Sequence, residues 1–288
     1  MGESMTKRIW GMALLGLGAS ACGSSESGPE PGADPETASA ASVISCVPWH
    51  REPIPGTEMV LVNNTWNEAW SDGAPHSQCI LERTKGGRTQ YGWSWEWPPY
   101  KPFTSYAAPE AVIGWKAWDG GASTSSAFPR RIDAIASLEV DFAVELEAEA
   151  THNLNTSMWV TATDVATAAP NPSDIRGEIM VWFSDPADLG GGEYDGAVTL
   201  GDIEFDLWHV VNQPDASGGT THQWTMLTYA ARTDRHAGSF DLKLVLDDAV
   251  SRGLIEPGHA VGGVELMTEV FGGSGELWLE RFDVKVSP

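Results

Sequence analysis

The chain has 288 residues, is 42% hydrophobic, and carries 40 acidic against 17 basic side chains, a formal net charge of −23. That length suits one large domain with a tail or two small domains, and the apolar share is enough for a real core. So large an acidic excess, with no Lys/Arg cluster to track phosphates, excludes a nucleic-acid partner and points to a neutral one.

In chain order, "MTKRIWGMALLGLGASAC" has Lys7 and Arg8, an apolar run from Ile9 to about Leu17, then small residues. This is an export signal over residues 1–21, too short for a stable membrane anchor. Two endings compete. Ala19-Ser20-Ala21 reads as a cleavage site for a secreted protein; Cys22 reads as the acylated cysteine of a bacterial outer-membrane or cell-surface lipoprotein. The three cysteines are Cys22, Cys46 and Cys79. Lipidation of Cys22 leaves the other two to pair, whereas its retention as a thiol leaves an exported protein with an odd cysteine, so the count favours the lipoprotein. Membrane contact is then through that lipid alone. Residues 22–42 are rich in Gly, Ser, Pro and Glu and cannot bury enough surface to fold; they read as a tether. The folded domain is expected over 43–288. A Cys46–Cys79 bridge would close a loop of about thirty residues, a stabilisation of roughly 3–4 kcal/mol, in an oxidising compartment.

From residue 57 onward short alternating runs are separated by Gly, Pro, Asp and Asn. "EMVLVNN", "CILERT", "TQYGWSWEW", "AVIGWKAW", "SLEVDFAVELEAEA", "SMWVTAT", "GEIMVWF", "DIEFDLWHV", "THQWTMLTYAA", "GGVELMTEVF" and "ELWLERFDVKV" all read as strands. Many short strands and almost no helix predict an all-β sandwich. One segment differs: "SFDLKLVLDDAVSRGL" spaces Leu242, Val245, Leu246, Ala249 and Val250 as a helix, with Ser239 as a cap and Gly253 as a stop.

Tryptophan is common, at 14 residues. Its flat faces match the C–H faces of sugar rings, and large aromatics equally supply core energy. In "TQYGWSWEWP" Tyr91, Trp93, Trp95 and Trp97 share a face; periodicity alone assigns this stripe equally well to a sugar-stacking surface or to the core. In "GEIMVWF" Ile179, Val181 and Phe183 form an apolar face, and the opposite face carries Glu178 beside Met180 and Trp182. In "GGVELMTEVF" Glu265, Met267, Glu269 and Phe271 again put carboxylates opposite an apolar face. A carboxylate so placed faces water, finds a partner or does chemistry. Two of them across a sheet are what glycosidic cleavage needs, one protonating the leaving oxygen and the other attacking the anomeric carbon or activating water. The pattern alone leaves Glu265 and Glu269 equal candidates. His50, His76, His152, His209, His222, His236 and His259 have no metal-ligand spacing; "SDPADLGGGEYDG" lacks EF-hand spacing; no G-x-S-x-G occurs. Neither a metal nor any cofactor is called for.

Four stretches in order resemble glycoside hydrolase family 12, the small β-jelly-roll endoglucanases. "CVPW" with "VNNTWN" and Cys79 is similar to the family's opening strands and their disulfide; "GEIMVWF" to its nucleophile strand; "FDLKLVLDDAVSRGLIEPG" to its helix; and "MTEVFGGSGELWLERFDVKV" to its closing strands. The resemblance runs from about Cys46 to Val286. It implies a jelly-roll sandwich of two antiparallel sheets with a concave substrate cleft and one helix. It makes Glu178 the nucleophile and Glu269 the acid/base, has Asn64 and Trp66 contact sugar, has Met180 line the central subsite, and extends the platform with Trp49 and Trp95. It implies a retaining enzyme, with carboxyls about 5–5.5 Å apart. Two positions depart from the pattern: Val270 replaces a frequent Pro, and Ser157 replaces an acid that hydrogen-bonds the nucleophile. A hydroxyl at 157 can still donate to Glu178, and without the like charge Glu178 should ionise at lower pH than in acid-bearing relatives.

The expected function is an exported, monomeric, endo-acting β-1,4-glucanase acting on β-glucan polysaccharide (cellulose, mixed-linkage glucan or xyloglucan). A xyloglucan-specific endoglucanase shares every catalytic feature, and Ser157 keeps open a weakly active or non-catalytic β-glucan-binding lipoprotein.

Overall fold

The computed structural model describes residues 38–102, 105–118, 121–162, 172–215 and 222–288. The export signal, Cys22 and the tether up to residue 37 lie outside the described residues. In chain order the strands are β1 (Ser42–Ser45), β2 (Arg51–Pro53), β3 (Val60–Val62), β4 (Ser77–Lys85), β5 (Arg88–Trp97), β6 (Glu110–Gly114), β7 (Arg130–Arg131), β8 (Ser137–Thr161), β9 (Ile175–Ser184), β10 (Glu193–Leu200), β11 (Ile203–Pro214), β12 (Gln223–Ala231), β13 (Ala237–Asp241), β14 (Ala260–Val261) and β15 (Gly263–Ser287). One α-helix, α1 (Lys243–Ser251), stands among them.

The pairing gives a jelly-roll sandwich whose two layers share two long strands. The first halves of β15 and the second half of β8 belong to a cleft layer ordered β2-β3-β6-β15-β8-β9-β12-β11-β10. Their other halves belong to an outer layer ordered β1-β4-β5-β15-β8-β13. Four of the runs read as separate strands in the sequence are therefore two continuous ones. At the bend of β15, Gly272 (φ +151°) and Gly273 (φ +88°) take backbone conformations that L side chains rarely adopt. A register shift between Val270 and Gly272 turns the strand without ending the ladder. A side chain at Gly273 would meet the Glu149 carbonyl oxygen at 2.4 Å. What reads as a turn signal is a bend signal. Among the described pairs β9 and β12 run parallel and the rest antiparallel.

The core lies between the layers. Ile179, Val181 and Phe183 of β9, Leu154, Met158 and Val160 of β8, and Val264, Leu266 and Val270 of β15 meet Trp93, Trp95 and Trp97 of β5 and Leu277 of β15's other half. The β5 stripe is thus core. Leu277 pairs opposite Trp93 on the same inward face, and the Trp93 and Trp97 N–H groups donate to Thr268 Oγ1 (3.3 Å) and Gln78 Oε1 (3.0 Å). Trp95 lies over the backbone of its register partner Gly275, where a Cβ would come within 2.3 Å of the ring. Leu242, Val245, Leu246 and Ala249 are buried, as the helical spacing requires. The helix starts later than its predicted cap. Ser239 is in β13, and Asp241 Oδ1 accepts the Lys243 N–H at 3.0 Å. Gly253, at φ +71°, follows the last turn. Cys46 and Cys79 are disulfide-bonded. Among the described residues no helix is long and apolar enough to cross a membrane.

Candidate active site

Strand β8 runs down the middle of the site. Because side chains alternate, sending Leu154, Met158 and Val160 into the core sends Asn153, Asn155, Ser157 and Trp159 into the cleft. On one flank β9 sets Glu178 opposite Trp159, Met180 opposite Ser157 and Trp182 opposite Asn155. On the other, β15 sets Glu265 opposite Ser157, Met267 opposite Asn155 and Glu269 opposite Asn153. Beyond β9, β12 adds Met226 beside Glu178 and Thr228 beside Met180.

Glu178 and Glu269 both keep part of their surface open to the cleft. Burial by the surrounding apolar wall pushes the Glu178 carboxyl up to about 7; a hydrogen bond from Trp224 opposes this, while the charges of Glu269 and Glu265 add to it and Lys116 subtracts. The Trp224 Nε1–H donates to Glu178 Oε2 at 3.0 Å. Burial also raises Glu269, against a hydrogen bond from Asn153, whose Nδ2 donates to Oε2 at 2.9 Å. Asn155 Nδ2 in turn donates to Asn153 Oδ1 at 2.6 Å, which fixes the orientation of the amide serving Glu269. Two carboxyls flanking one strand, both raised and one acting on the other, can hold a proton at neutral pH while presenting a carboxylate.

Glu265, the other candidate on β15, is committed elsewhere. It is 1% exposed, and Lys116 Nζ sits 3.3 Å from its Oε1 and 3.0 Å from Glu110 Oε2. Asn64 Nδ2 donates to Glu110 Oε1 at 2.9 Å. One ammonium serves two sealed carboxyls, and burial raises Glu110 well above the usual range.

Other sequence candidates divide. Met180 is buried at the cleft floor, 7% exposed. Asn64 is also buried, its Oδ1 accepting the Trp66 N–H at 3.1 Å, so it couples the Glu110 cluster to a loop. Trp66 is exposed and lies 6.4 Å from exposed Trp70; Trp49 is exposed at φ +61° on the loop after Cys46. Trp95 does not join them, because it is in the core. Ser157 does not serve Glu178: its Oγ is buried without a hydrogen-bond partner. Register explains this, since Ser157 stands opposite Met180, and a one-carbon arm does not reach across the diagonal. Burial, with the neighbouring carboxyls adding to it, raises Glu178 above the ordinary carboxyl range.

The sequence reading missed Trp224, Trp118, Trp159, Asn153 and Lys116. The alternation of Asn153, Asn155 and Ser157 with Leu154, Thr156 and Met158 was a usable signal, since polar residues on one face of an otherwise apolar strand point to a lined cleft. Trp224 gave no such signal, because its contact with Glu178 depends on the parallel register of β12. Among the described residues no group of three or more His, Cys, Asp or Glu could hold a metal ion.

A bent β-sandwich with paired carboxyls across its cleft face is the layout of a glycoside hydrolase. The model of glycosyl hydrolase family 12 matches residues 57–287. Endoglucanase S of Pectobacterium parmentieri is 26% identical over 227 residues, 78% of this chain and 81% of that one. The family 12 xyloglucanase of Bacillus licheniformis superposes with a TM-score of 0.73 at 23% identity, over 86% of this chain and all of that one (100%). Endoglucanase 3 of Trichoderma harzianum superposes at 0.66 and 15% identity, over 88% and 99%. The chain belongs to glycosyl hydrolase family 12.

Proposed function

We propose that the protein is an endo-acting β-1,4-glucanase that cleaves by retaining double displacement, with Glu178 as nucleophile and Glu269 as acid/base. The observation that carries this reading is the pair of desolvated carboxyls on strands flanking β8, with the charge of Glu269 acting on Glu178. Only the singly protonated pair is competent. One Glu178 oxygen bonds to the anomeric carbon as the glycosidic C–O bond breaks, and Glu269 gives its proton to the departing oxygen. Water then attacks the glycosyl ester, Glu269 takes the water proton, and Glu178 leaves as carboxylate. Trp66 and Trp70 supply exposed aromatic faces against which sugar rings can stack, and no cofactor takes part. The substrate is a neutral β-glucan, consistent with the chain's large negative charge.

The test is release of new reducing ends by residues 43–288 from carboxymethylcellulose, mixed-linkage glucan and xyloglucan, with proton NMR of the first product. The expected product is the β-anomer, and Glu178→Gln should abolish turnover while leaving glucan binding nearly intact. Early α-product, or substantial turnover by Glu178→Gln, overturns the reading; activity on xyloglucan alone narrows it to a xyloglucanase. The reading extends to export and to acylation at Cys22. The mass of the mature protein tests this part: a chain beginning at Cys22 with a lipid increment supports it, and an unmodified product does not.

A further inference from the structure

We infer that Trp224 is the positioning residue of the nucleophile and that the indoles of Trp118 and Trp159 hold it in place. The inference rests on Glu178 being the nucleophile, and its observations are separate from those behind that assignment. Trp224 is the second residue of β12, two before Met226, which stands opposite Glu178. Its ring crosses that diagonal, and Nε1–H donates to Glu178 Oε2 at 3.0 Å. Among the described residues this is the one side-chain hydrogen bond Glu178 receives, and it leaves the other oxygen uncommitted. The ring is 7% exposed and is braced on two sides. Its centroid lies 5.8 Å from Trp159 at an interplanar angle of 75° and 5.5 Å from Trp118 at 52°. Trp118 closes the triangle by meeting Trp159 edge-on at 4.9 Å. Trp118 is 37% exposed and holds φ +61°, a conformation costly for a bulky side chain. An indole so packed has little freedom to move its N–H.

A fixed N–H at one nucleophile oxygen has two consequences. It favours the carboxylate over the carboxyl, and so biases which member of the Glu178–Glu269 pair loses its proton first. It also selects the attacking oxygen: with Oε2 held, Oε1 bonds to the anomeric carbon, and Oε2 becomes the ester carbonyl oxygen and keeps the same donor. The bond is therefore never broken in the cycle, and the carboxylate plane does not need to be re-found at each turnover. Among the described residues no other group donates a side-chain hydrogen bond to Glu178. Ser157 Oγ, on β8, has no partner. Among the described residues, the charged or titratable groups about Glu178 include Glu265 and Glu269 on β15, Glu110 and Lys116 beyond it, Arg176 on β9 and His222 ahead of β12, and none of these forms a hydrogen bond to Glu178. His222 is turned to the Ile175 carbonyl oxygen at 2.6 Å.

Replacing Trp224 by Phe keeps an apolar ring and removes the N–H; benzothienylalanine at 224 is the closer isostere, with sulfur in place of N–H, and serves if the Phe variant does not fold. In both, the acid limb of kcat/KM is expected to move up by about one pH unit, with a loss of about tenfold to a hundredfold below the limb, the range for a hydrogen bond to a charged group. Thermal midpoints are measured alongside, and a 2-deoxy-2-fluoro glycoside is used to trap the glycosyl-enzyme for peptide mapping. A folded variant with an unmoved acid limb and an undiminished rate reduces Trp224 to packing and overturns the inference while Glu178 still traps. A trap that labels a different residue in the unmodified enzyme overturns the nucleophile assignment itself.

Discussion

Glu265 and Glu269 stand on the same face of the same strand, two pleats apart, and their surroundings are opposite. Strand β6 runs beside β15 only from Gly263 to Met267. Within that span Glu265 has a strand on each flank and is sealed against Lys116 and Glu110. Past it, Glu269 keeps β8 on one side and the chain ahead of β6 on the other, where the Thr268 and Val270 N–H groups donate to the Pro109 and Ala107 carbonyls; among the described residues no cation pairs with it, and it opens to the cleft with one amide donor. A carboxylate sealed against a partner of opposite charge is held in a structural role; one left half-buried in a cleft with a raised pKa is a candidate for chemistry. The cation that follows β6, Lys116, separates the two cases.

The largest effect should separate the two residues in the reaction itself. Glu269→Ala is expected to slow polymer hydrolysis by about 10²–10⁴-fold, the usual worth of a positioned general acid. It should spare the first step on aryl glycosides whose leaving groups need little protonation. Azide should then accelerate turnover and appear as the β-glycosyl azide, since a small anion can occupy the space of the missing carboxylate. Glu265→Gln should show no azide acceleration. If azide restores Glu265→Gln and not Glu269→Ala, the two roles are exchanged and the register reading of β15 fails.

A smaller effect should appear in stability. Glu178 ionises near 7 in the fold against an ordinary value of 4.5. A carboxyl raised on folding weakens the fold as it ionises, so stability is lost as pH rises from about 4.5 through 7 and is then constant. Glu178→Gln removes that loss. Its melting temperature should match the parent near pH 4 and exceed it by a few degrees above pH 7, as a gain of one to two kcal/mol gives about that in a domain of this size. Lys116→Met should do the reverse and lower the melting temperature at neutral pH, because it leaves Glu110 and Glu265 buried without their cation. Equal melting shifts of one sign in both variants would show that the cleft and the sealed cluster do not differ as described.

Much of this contrast was legible in the sequence, but not all. The alternation in "GEIMVWF" fixes which side of β9 carries Glu178, because period two leaves one choice once Ile179, Val181 and Phe183 are core. The same rule shows that Glu265 and Glu269 share a face and cannot rank them, since ranking depends on which of them Lys116 reaches. Nor can it say which way a stripe points when both faces are apolar, so Trp95 is as plausible in a cleft as in the core, where it lies. Gly272 and Gly273 read as a turn because a bent strand and a hairpin use the same residue. The Trp224 contact depends on which strands pair in parallel, a property of the whole topology.

The smallest effect concerns Ser157, which stands opposite Glu265 in register and next to Met180. Its hydroxyl is 1% exposed and makes no hydrogen bond. A buried hydroxyl that has lost water and found no partner contributes nothing to the fold, and removing it is neutral or slightly favourable. Ser157→Ala should therefore raise the melting temperature by up to about 2 °C or leave it unchanged. The acid limb of kcat/KM should stay where it is, because the donor to Glu178 is Trp224 on the opposite flank. A donor lost from Glu178 would instead raise its pKa and carry the limb upward, the same direction as loss of the Trp224 N–H. The pH profile of Ser157→Ala beside that of Trp224→Phe thus assigns the nucleophile's hydrogen bond to one strand or the other. A limb that rises in Ser157→Ala would mean that this hydroxyl donates to Glu178 in the free enzyme, and that β8 as well as β12 orients the nucleophile.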